Sequence, residues 1–410
     1  MAYHEPMSKQ KIVVVGGGFG GIKAALELGK GDNSRFDITL VSDQANFRYY
    51  PALYRTATGG VVAGSSIPLM TILSDKKVKI IQGTAETIDR KAHTLTLAGG
   101  EVLDYDIVIL GLGVVTNYFG IPGMEDFSYS IKSFDAIKRF KEHLHNQIED
   151  ERRPDLNYVI VGAGATGIEL AGALPEYLRK VMDIHGVKHK AVYIDLIEAA
   201  PRLLPRMPEG ASLSVARRLR RKGVRLYTDS VVQGVAADHL IVSGNPIKSH
   251  TVVWTAGVTN HPFFKNNGFM LTPRGKVATN LYLEADDNVF VVGDNANTPY
   301  SGMAQTAMHD GEYVTDVIKR RAKGKDPRSY QIRKPITVIP VGERWATVVW
   351  GSVTLYGIIG WVLRELADLV AFADYEPWWK AGRQWLIGFE EEEPCRICQQ
   401  AMHQSIRQIA

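Results

Sequence analysis

Lys11-Ile12-Val13-Val14-Val15-Gly16-Gly17-Gly18-Phe19-Gly20-Gly21 is the stretch whose reading decides the fold. A short β-branched run of this kind predicts a strand buried in a parallel sheet. The glycines follow at once. Gly16 permits a tight turn, Gly18 lets the backbone approach a pyrophosphate, and Gly21 packs the next helix against the strand, with Phe19 and Gly20 between them. The helix N-terminus then offers free N–H groups and a partial positive charge to phosphates. Ile22 to Leu28 has helical character, and Phe36–Val41 predicts a second strand. Modules of this type place an acidic residue at the end of that strand to bind ribose hydroxyls. Here the sequence is Leu40-Val41-Ser42-Asp43, and either Ser42 or Asp43 fits the role.

The pattern recurs 146 residues later. Tyr158–Val161 predicts a strand, Gly162–Gly167 the turn, Ile168 to Ile184 a helix and Ala191–Ile197 the next strand. The second turn reads Gly162-Ala163-Gly164-Ala165-Thr166-Gly167, and its strand ends in Glu198. A carboxylate there accepts the 2′-hydroxyl of NAD and repels the 2′-phosphate of NADP, so NADH is expected over NADPH, with nearby Arg202 as the opposing signal. Two such units predict an α/β fold of two Rossmann-like dinucleotide-binding domains. Further short strands, Asp106–Leu110, Thr251–Thr255 and Asn288–Val292, each end in glycine or a small residue. Ile121-Pro122-Gly123 reads as a turn between modules, and Ala322–Pro335, rich in Lys, Arg and Pro, as a linker.

Composition narrows the class. The chain has 410 residues, 45% hydrophobic and 22% charged, which excludes disorder and collagen-like repeats. A net charge of +4 is too small to argue for nucleic acid as a partner. The N-terminus, Met1 to Gln10, lacks the blocks of a signal peptide, so synthesis in the cytoplasm is expected. Trp345–Leu363 is 19 residues without a charge, yet Thr347, Gly351, Ser352, Thr354, Gly357 and Gly360 break it up. A strand, a turn and a helix start explain it better than a membrane span.

Two dinucleotide sites in one chain point to FAD plus a nicotinamide. With Asn288–Val292 running into Gly293-Asp294, and Met303-Ala304-Gln305 beyond, the chain resembles the type II NADH:quinone oxidoreductases of the two-dinucleotide-binding flavoprotein superfamily. The resemblance spans nearly the whole chain. It includes Asn46 to Gly59 with Pro51-Ala52-Leu53-Tyr54, Gln82-Gly83-Thr84-Ala85, Trp254-Thr255-Ala256-Gly257-Val258 and Ala304-Gln305-Thr306-Ala307-Met308-His309-Asp310-Gly311. It implies FAD in the first module, with Pro51 in its pocket, the Ala85 backbone at the adenine and Asp294 at the ribityl chain. It also implies NADH in the second module, with Ala256 and Gly257 beside the nicotinamide. Ala304, Gln305 and His309 would lie at the isoalloxazine and the quinone pocket, and Glu169 would orient nicotinamide or quinone. Three departures from the family pattern stand out. Ser42 replaces an acidic residue, Gly111-Leu112-Gly113 replaces Ala-Thr-Gly at a contact behind the flavin, and His309 replaces a glutamine. A histidine there could donate a proton as well as a hydrogen bond. The implied domains are 1–125 and 271–325 for FAD, 126–270 for NADH, and 326–410 for membrane attachment.

Relatives of this architecture pass electrons to a disulfide, peroxide, sulfide or quinone, and the first three routes need thiols near the flavin. The two cysteines, Cys395 and Cys398, come after 394 residues without one. An acceptor that takes electrons directly from flavin remains, a quinone or a small redox protein. Cys395-x-x-Cys398 with His403 is one ligand short of a closed zinc site and follows a run, Glu390 to Pro394, that reads as a solvated tail; no metal is expected.

Leu355, Ile358, Ile359, Val362, Leu366, Leu369 and Val370 recur at helical spacing, with Arg364, Glu365 and Asp368 on the other face. A second helix begins at Pro377 and carries Trp378, Trp379, Trp385, Leu386 and Phe389 with Lys380 and Arg383. Tryptophan beside basic residues suits a bilayer interface, while packing on the core or on a second subunit is the plainer alternative. The resulting expectation is a peripheral, non-pumping NADH:quinone oxidoreductase, a homodimer on the cytoplasmic face of the cell membrane. A ferredoxin- or rubredoxin-type reductase and a flavin-based redox sensor are the competing readings.

Overall fold

The computed structural model describes residues 9–31, 35–151, 153–188 and 191–391. Cys395, Cys398 and His403 lie outside them. The chain divides into two compact units. One takes the chain up to Arg48, then Ser66–Thr116 and Val258–Pro335; the other takes Tyr49–Ser65, Asn117–Gly257 and the chain from Ile336 on.

The first unit is built on a six-stranded sheet in the order Glu284–Asp286, Val289–Val291, Ile107–Leu110, Gln10–Val15, Phe36–Ser42, Val78–Gln82. All pairs are parallel except the first. Ile12 to Val15 are buried at the centre, as a strand covered on both faces requires. The Phe19–Leu28 helix packs on this sheet and against the Ala304–Arg321 helix. Gly311 makes that helix pair possible, since a Cβ there would lie 2.4 Å from the carbonyl oxygen of Gly20.

The second unit repeats the plan. Its five-stranded parallel sheet runs Ser128–Tyr129, Thr251–Trp254, Asn157–Val161, Tyr193–Ile197, Val224–Tyr227. The Ala165–Ile184 helix follows its glycine turn. Each unit also inserts a three-stranded antiparallel meander between its outer strand and the strand that returns to the centre. These are Ala85–Asp89, Thr94–Leu97 and Val102–Asp104 in the first, and Val232–Val235, His239–Val242 and Asn245–Lys248 in the second. Neither meander was expected from the sequence.

The uncharged Trp345–Leu363 stretch resolves into strand Ala346–Trp350, strand Val353–Gly357 and the start of helix Ile358–Ala373. It therefore holds a hairpin where one strand and a turn were expected. The helix that follows is inverted relative to an ordinary surface helix. Arg364, Glu365 and Asp368 are 3%, 5% and 2% exposed, while Ile358, Ile359 and Val370 are 62%, 61% and 64% exposed. Its apolar stripe does not pack on its own core, which corrects that half of the plainer reading. Helix Trp378–Ile387 follows, with Trp378 and Trp379 exposed. Among the described residues no helix is long and apolar enough to cross a membrane. Of the acidic tail, Glu391 pairs with Lys180 at 2.6 Å and the Glu390 carbonyl accepts from the Val61 N–H, so its first residues are pinned to the unit.

Phe372 is buried and packs on the Tyr49 ring at 4.6 Å. In lipid-free buffer, Phe372→Ala is expected to cost about 3–5 kcal/mol in urea unfolding, whereas Ile359→Ala and Val370→Ala should stay within about 0.5 kcal/mol. Equal losses at all three would mean that the apolar stripe is covered.

Candidate functional site

The two glycine turns share the same hydrogen bond and the same close backbone approach. In the first, the Gly16 N–H donates to the Val41 carbonyl at 2.8 Å; in the second, Gly162 donates to Ile197 at 2.7 Å. Gly16 and Gly162 have φ of +114° and +104°, in the region that favours glycine. A Cβ at Gly21 would sit 2.0 Å from the Gly16 oxygen, and one at Gly167 would sit 1.9 Å from the Gly162 oxygen. Helix and strand end therefore touch through backbone. Gly18 and Gly164 are different: a Cβ on either would meet nothing within 4 Å. They are the N-caps of their helices, neither makes a side-chain cap, and neither first turn carries an acid. Free N–H groups, the positive end of the helix and open space above a small residue together fit a dinucleotide pyrophosphate in each unit.

The rims differ. Strand register makes Ser42 and Glu198 equivalent, each one residue past the paired Val41 and Ile197. Glu198 accepts from the Ala163 N–H at 2.7 Å and from the Ala200 N–H at 2.9 Å, one bond to each oxygen. Each oxygen keeps a lone pair for a ribose hydroxyl. Arg202 donates to the carbonyls of Leu204 and Pro205, so its guanidinium is engaged in its own loop. Ser42 is buried under the first turn, its hydroxyl donating to the Gln44 carbonyl at 2.7 Å, while Asp43 is exposed. Ala165 is exposed and Thr166 half-buried at the start of the second helix.

Behind the first cradle, Phe19 stands edge-on to Phe47 at 5.0 Å. Ala85 is buried at the head of its strand. Gly113 is clamped by buried Asn295, which accepts its N–H at 2.8 Å and donates to its carbonyl at 2.6 Å. Asn295 follows the Gly-Asp pair directly, and that adjacency was the signal missed in the sequence. Burial pushes the Asp294 carboxyl up, with Lys276 opposing. Ala304 opens the helix and Gln305 is exposed. His309 donates from Nε2 to the Gln331 carbonyl at 2.7 Å, leaving Nδ1 buried without a partner. Its neighbour Asp310 is fully buried and accepts from the Gly293 N–H at 2.9 Å and the Tyr330 hydroxyl at 2.6 Å. Burial raises that carboxyl to about 7. The stretch read as a linker is thus tied to this helix through Tyr330 and Gln331.

In the second unit, Ala256 is exposed at the turn and Gly257 is buried. The Gly257 carbonyl accepts from Lys132 at 3.1 Å and from the Asn117 N–H, and burial lowers the Lys132 ammonium to about 8. Glu169, in the second turn of the Ala165–Ile184 helix, is buried, and desolvation raises its carboxyl to about 8. The charges around it come from elsewhere in the chain: Arg364 and Arg55 lower the value, and Asp368 raises it. The Pro51 carbonyl accepts from Arg364 at 2.9 Å. Arg55, Arg364 and Asp368 were not foreseen in this role; the i,i+4 opposite-charge pair Arg364–Asp368 was the available signal. Among the described residues no group of three His, Cys, Asp or Glu could hold a metal ion.

Comparison with known proteins agrees with this geometry. The family model described as pyridine nucleotide-disulphide oxidoreductase matches residues 10–311. The chain is 28% identical to the type II NADH:quinone oxidoreductase NdhA of Mycobacterium tuberculosis, over 93% of this chain and 87% of that protein. It is 26% identical to the type II NADH:quinone oxidoreductase of Staphylococcus haemolyticus, over 82% and 88%. The fold matches NDH2 from Plasmodium falciparum, solved in complex with NADH, with a TM-score of 0.83 at 16% identity over 93% and 98% of the two chains. It also matches the sulfide:quinone oxidoreductase of Aquifex aeolicus, with a TM-score of 0.76 at 20% identity over 92% of each. The chain belongs to the pyridine nucleotide-disulphide oxidoreductase family.

Proposed function

We propose that the protein is an FAD-dependent NADH:quinone oxidoreductase that works without pumping protons, and that it acts at a membrane surface as a homodimer of the respiratory chain. The observation that carries this reading lies in the second unit. Glu169, on the helix of the second cradle, is buried among charges from the Ile358–Ala373 helix, and the outer face of that helix is apolar. The helix of the second cradle and the Ile358–Ala373 helix both pack on the Thr337–Pro340 strand, which is thus a wall common to that cradle and an element suited to lipid. An acceptor dissolved in the bilayer fits such a wall, and the sulfur routes are closed because residues 10–311 contain no cysteine.

The first cradle, Gly16 to Gly21, would hold the FAD pyrophosphate, with Asp294 and the Asn295-clamped Gly113 behind the flavin. Bound FAD supplies the chemistry, accepting a hydride and passing its electrons on. Gly162 to Gly167 would hold NADH, with the Glu198 carboxylate on its ribose hydroxyls, which favours NADH over NADPH. Close stacking of the two rings, rather than an acid or base, is what hydride transfer requires. Reduction of a quinone to a quinol consumes protons, and Glu169, whose carboxyl burial raises to about 8, would supply one. Gln305 and His309 line the acceptor side in this reading. The exposed stripe of Ile358, Ile359, Val362, Leu366 and Val370, with Trp378, Trp379, Lys380 and Arg383, provides the lipid-facing surface.

Gly18→Val should give folded protein with the melting temperature of flavin-free wild type and no flavin absorbance, because its Cβ enters only ligand space. Gly16→Val should lose both stability and flavin; a yellow Gly18→Val protein would refute the first cradle. Glu169 is protonated below its raised pKa, so quinone reduction in stopped flow should slow as pH rises through about 8. Glu169→Gln should abolish that inflection and spare flavin reduction by NADH; a slow quinone step at every pH in the wild type would sink the function itself. The protein should float with liposomes, and Trp378→Ala/Trp379→Ala should weaken flotation several-fold; flotation unaffected by that change would move attachment elsewhere.

A further inference from the structure

The turn from Tyr118 to Ile121 holds a residue that its backbone does not favour. The Ile121 N–H donates to the Tyr118 carbonyl at 3.1 Å, and the two central residues, Phe119 and Gly120, have φ of +53° and +67°. Turns of that hand take glycine, asparagine or aspartate at both positions, and a bulky residue there is strained. Phe119 gains little packing in return, being 62% exposed. Its place is nonetheless fixed. The Phe119 N–H donates to the Asn117 side chain at 2.9 Å. Asn117 in turn donates its backbone N–H to the Gly257 carbonyl at 3.1 Å and accepts from the Trp254 indole at 3.0 Å. The Phe119 ring stands edge-on to Trp254 at 6.1 Å and fills the space that a side chain at 257 would take. A Cβ on Gly257 would lie 2.6 Å from its Cε2 and 3.0 Å from its Cζ.

We propose that Phe119 is a substrate-binding residue whose exposed ring packs against the nicotinamide end of the dinucleotide. This deepens the function proposed above and rests on it for NADH as the occupant of the second cradle. The position of Phe119 along the sheet edge points there. The cradle follows Asn157–Val161, with Tyr193–Ile197 paired on one side and Thr251–Trp254 on the other. Glu198 takes a ribose on the first side and Gly164 the pyrophosphate at the centre, so the other half of the dinucleotide crosses toward Thr255, Ala256 and Gly257. That turn is part of the cradle floor. The Thr255 hydroxyl donates to the Gly162 carbonyl at 2.9 Å, and a Cβ on Gly162 would lie 2.6 Å from the Ala256 Cα. Ala256 is exposed and Gly257 is buried beneath the Phe119 ring, which puts an aromatic surface beside the exposed alanine. A flat nicotinamide gains from an aromatic neighbour, and a ligand that covers the ring offsets the backbone strain at Phe119.

The test is calorimetric titration of the flavin-loaded, oxidised protein with NAD⁺, which has no hydride to give, and with ADP-ribose, which lacks the nicotinamide. Phe119→Asn suits the turn and removes the ring, so NAD⁺ affinity should fall about tenfold while ADP-ribose affinity stays. Its urea midpoint without ligand should hold or rise, because the strain goes and little packing is lost. Phe119→Tyr keeps the ring and should bind NAD⁺ as the wild type does. Phe119→Leu loses only the ring, and should show the same split between the two ligands if Phe119→Asn folds poorly. Equal losses for NAD⁺ and ADP-ribose would mean a structural role and overturn the proposal. Unchanged NAD⁺ binding in Phe119→Asn would overturn it too, while leaving the second cradle assigned as above. A wild type that binds neither ligand would refute the cradle and this role together.

Discussion

Everything in this molecule depends on one contact made twice: the carbonyl oxygen of a strand-ending glycine pressed against the Cα of a glycine in the following helix. Gly16 against Gly21 and Gly162 against Gly167 leave about 2 Å where a Cβ would have to go. This approach brings the helix N-terminus to the edge of the sheet, so its uncapped N–H groups point to the place where the parallel strands end. A larger residue at Gly21 or Gly167 would push the helix off the sheet and close the space above Gly18 or Gly164. The fold and the phosphate sites are therefore one constraint.

The two units share a plan and differ at the rim, and the difference is chemical. At the equivalent strand ends, Glu198 faces its cradle and bonds two backbone N–H groups, whereas Ser42 folds its hydroxyl back onto Gln44. In the function proposed above, a carboxylate on the second rim takes ribose hydroxyls and opposes an added phosphate. At the first rim the equivalent position carries no carboxylate, the exposed Asp43 stands one residue beyond it, and Asn295 clamps Gly113 behind the cradle.

The strands, glycine turns and helices of both units were legible because their signals are local: β-branched runs, glycine spacing and an acid at a fixed register. The meanders were less so, since residues 85–104 and 232–248 alternate only weakly and their partners are set by hairpin turns. The Ile358–Ala373 helix shows a different limit. Its periodicity reveals two faces, but the same pattern fits either one turned inward. What decides is whether the polar face finds partners, and here Arg55, Tyr49 and the Pro51 carbonyl, some 310 residues away, supply them. The ties of His309 and Asp310 to Gln331 and Tyr330 are likewise invisible in the helix that bears them.

Inverting that helix has a thermodynamic consequence. Burying two arginines and two carboxylates carries a desolvation cost of several kcal/mol per ion, which mutual attraction recovers only when geometry and hydrogen bonding are nearly complete. Here nearly every charge has a partner, and the remaining unpartnered atom is Glu365 Oε2. Such a network adds little to stability compared with an apolar core of the same volume. It does give the inner face fixed partners in Tyr49, Arg55 and the Pro51 carbonyl, and it leaves an apolar stripe outside that water does not favour. A bilayer removes that second cost and leaves the first unchanged. The arrangement is therefore more favourable when its outer face is covered, by lipid in the function proposed above.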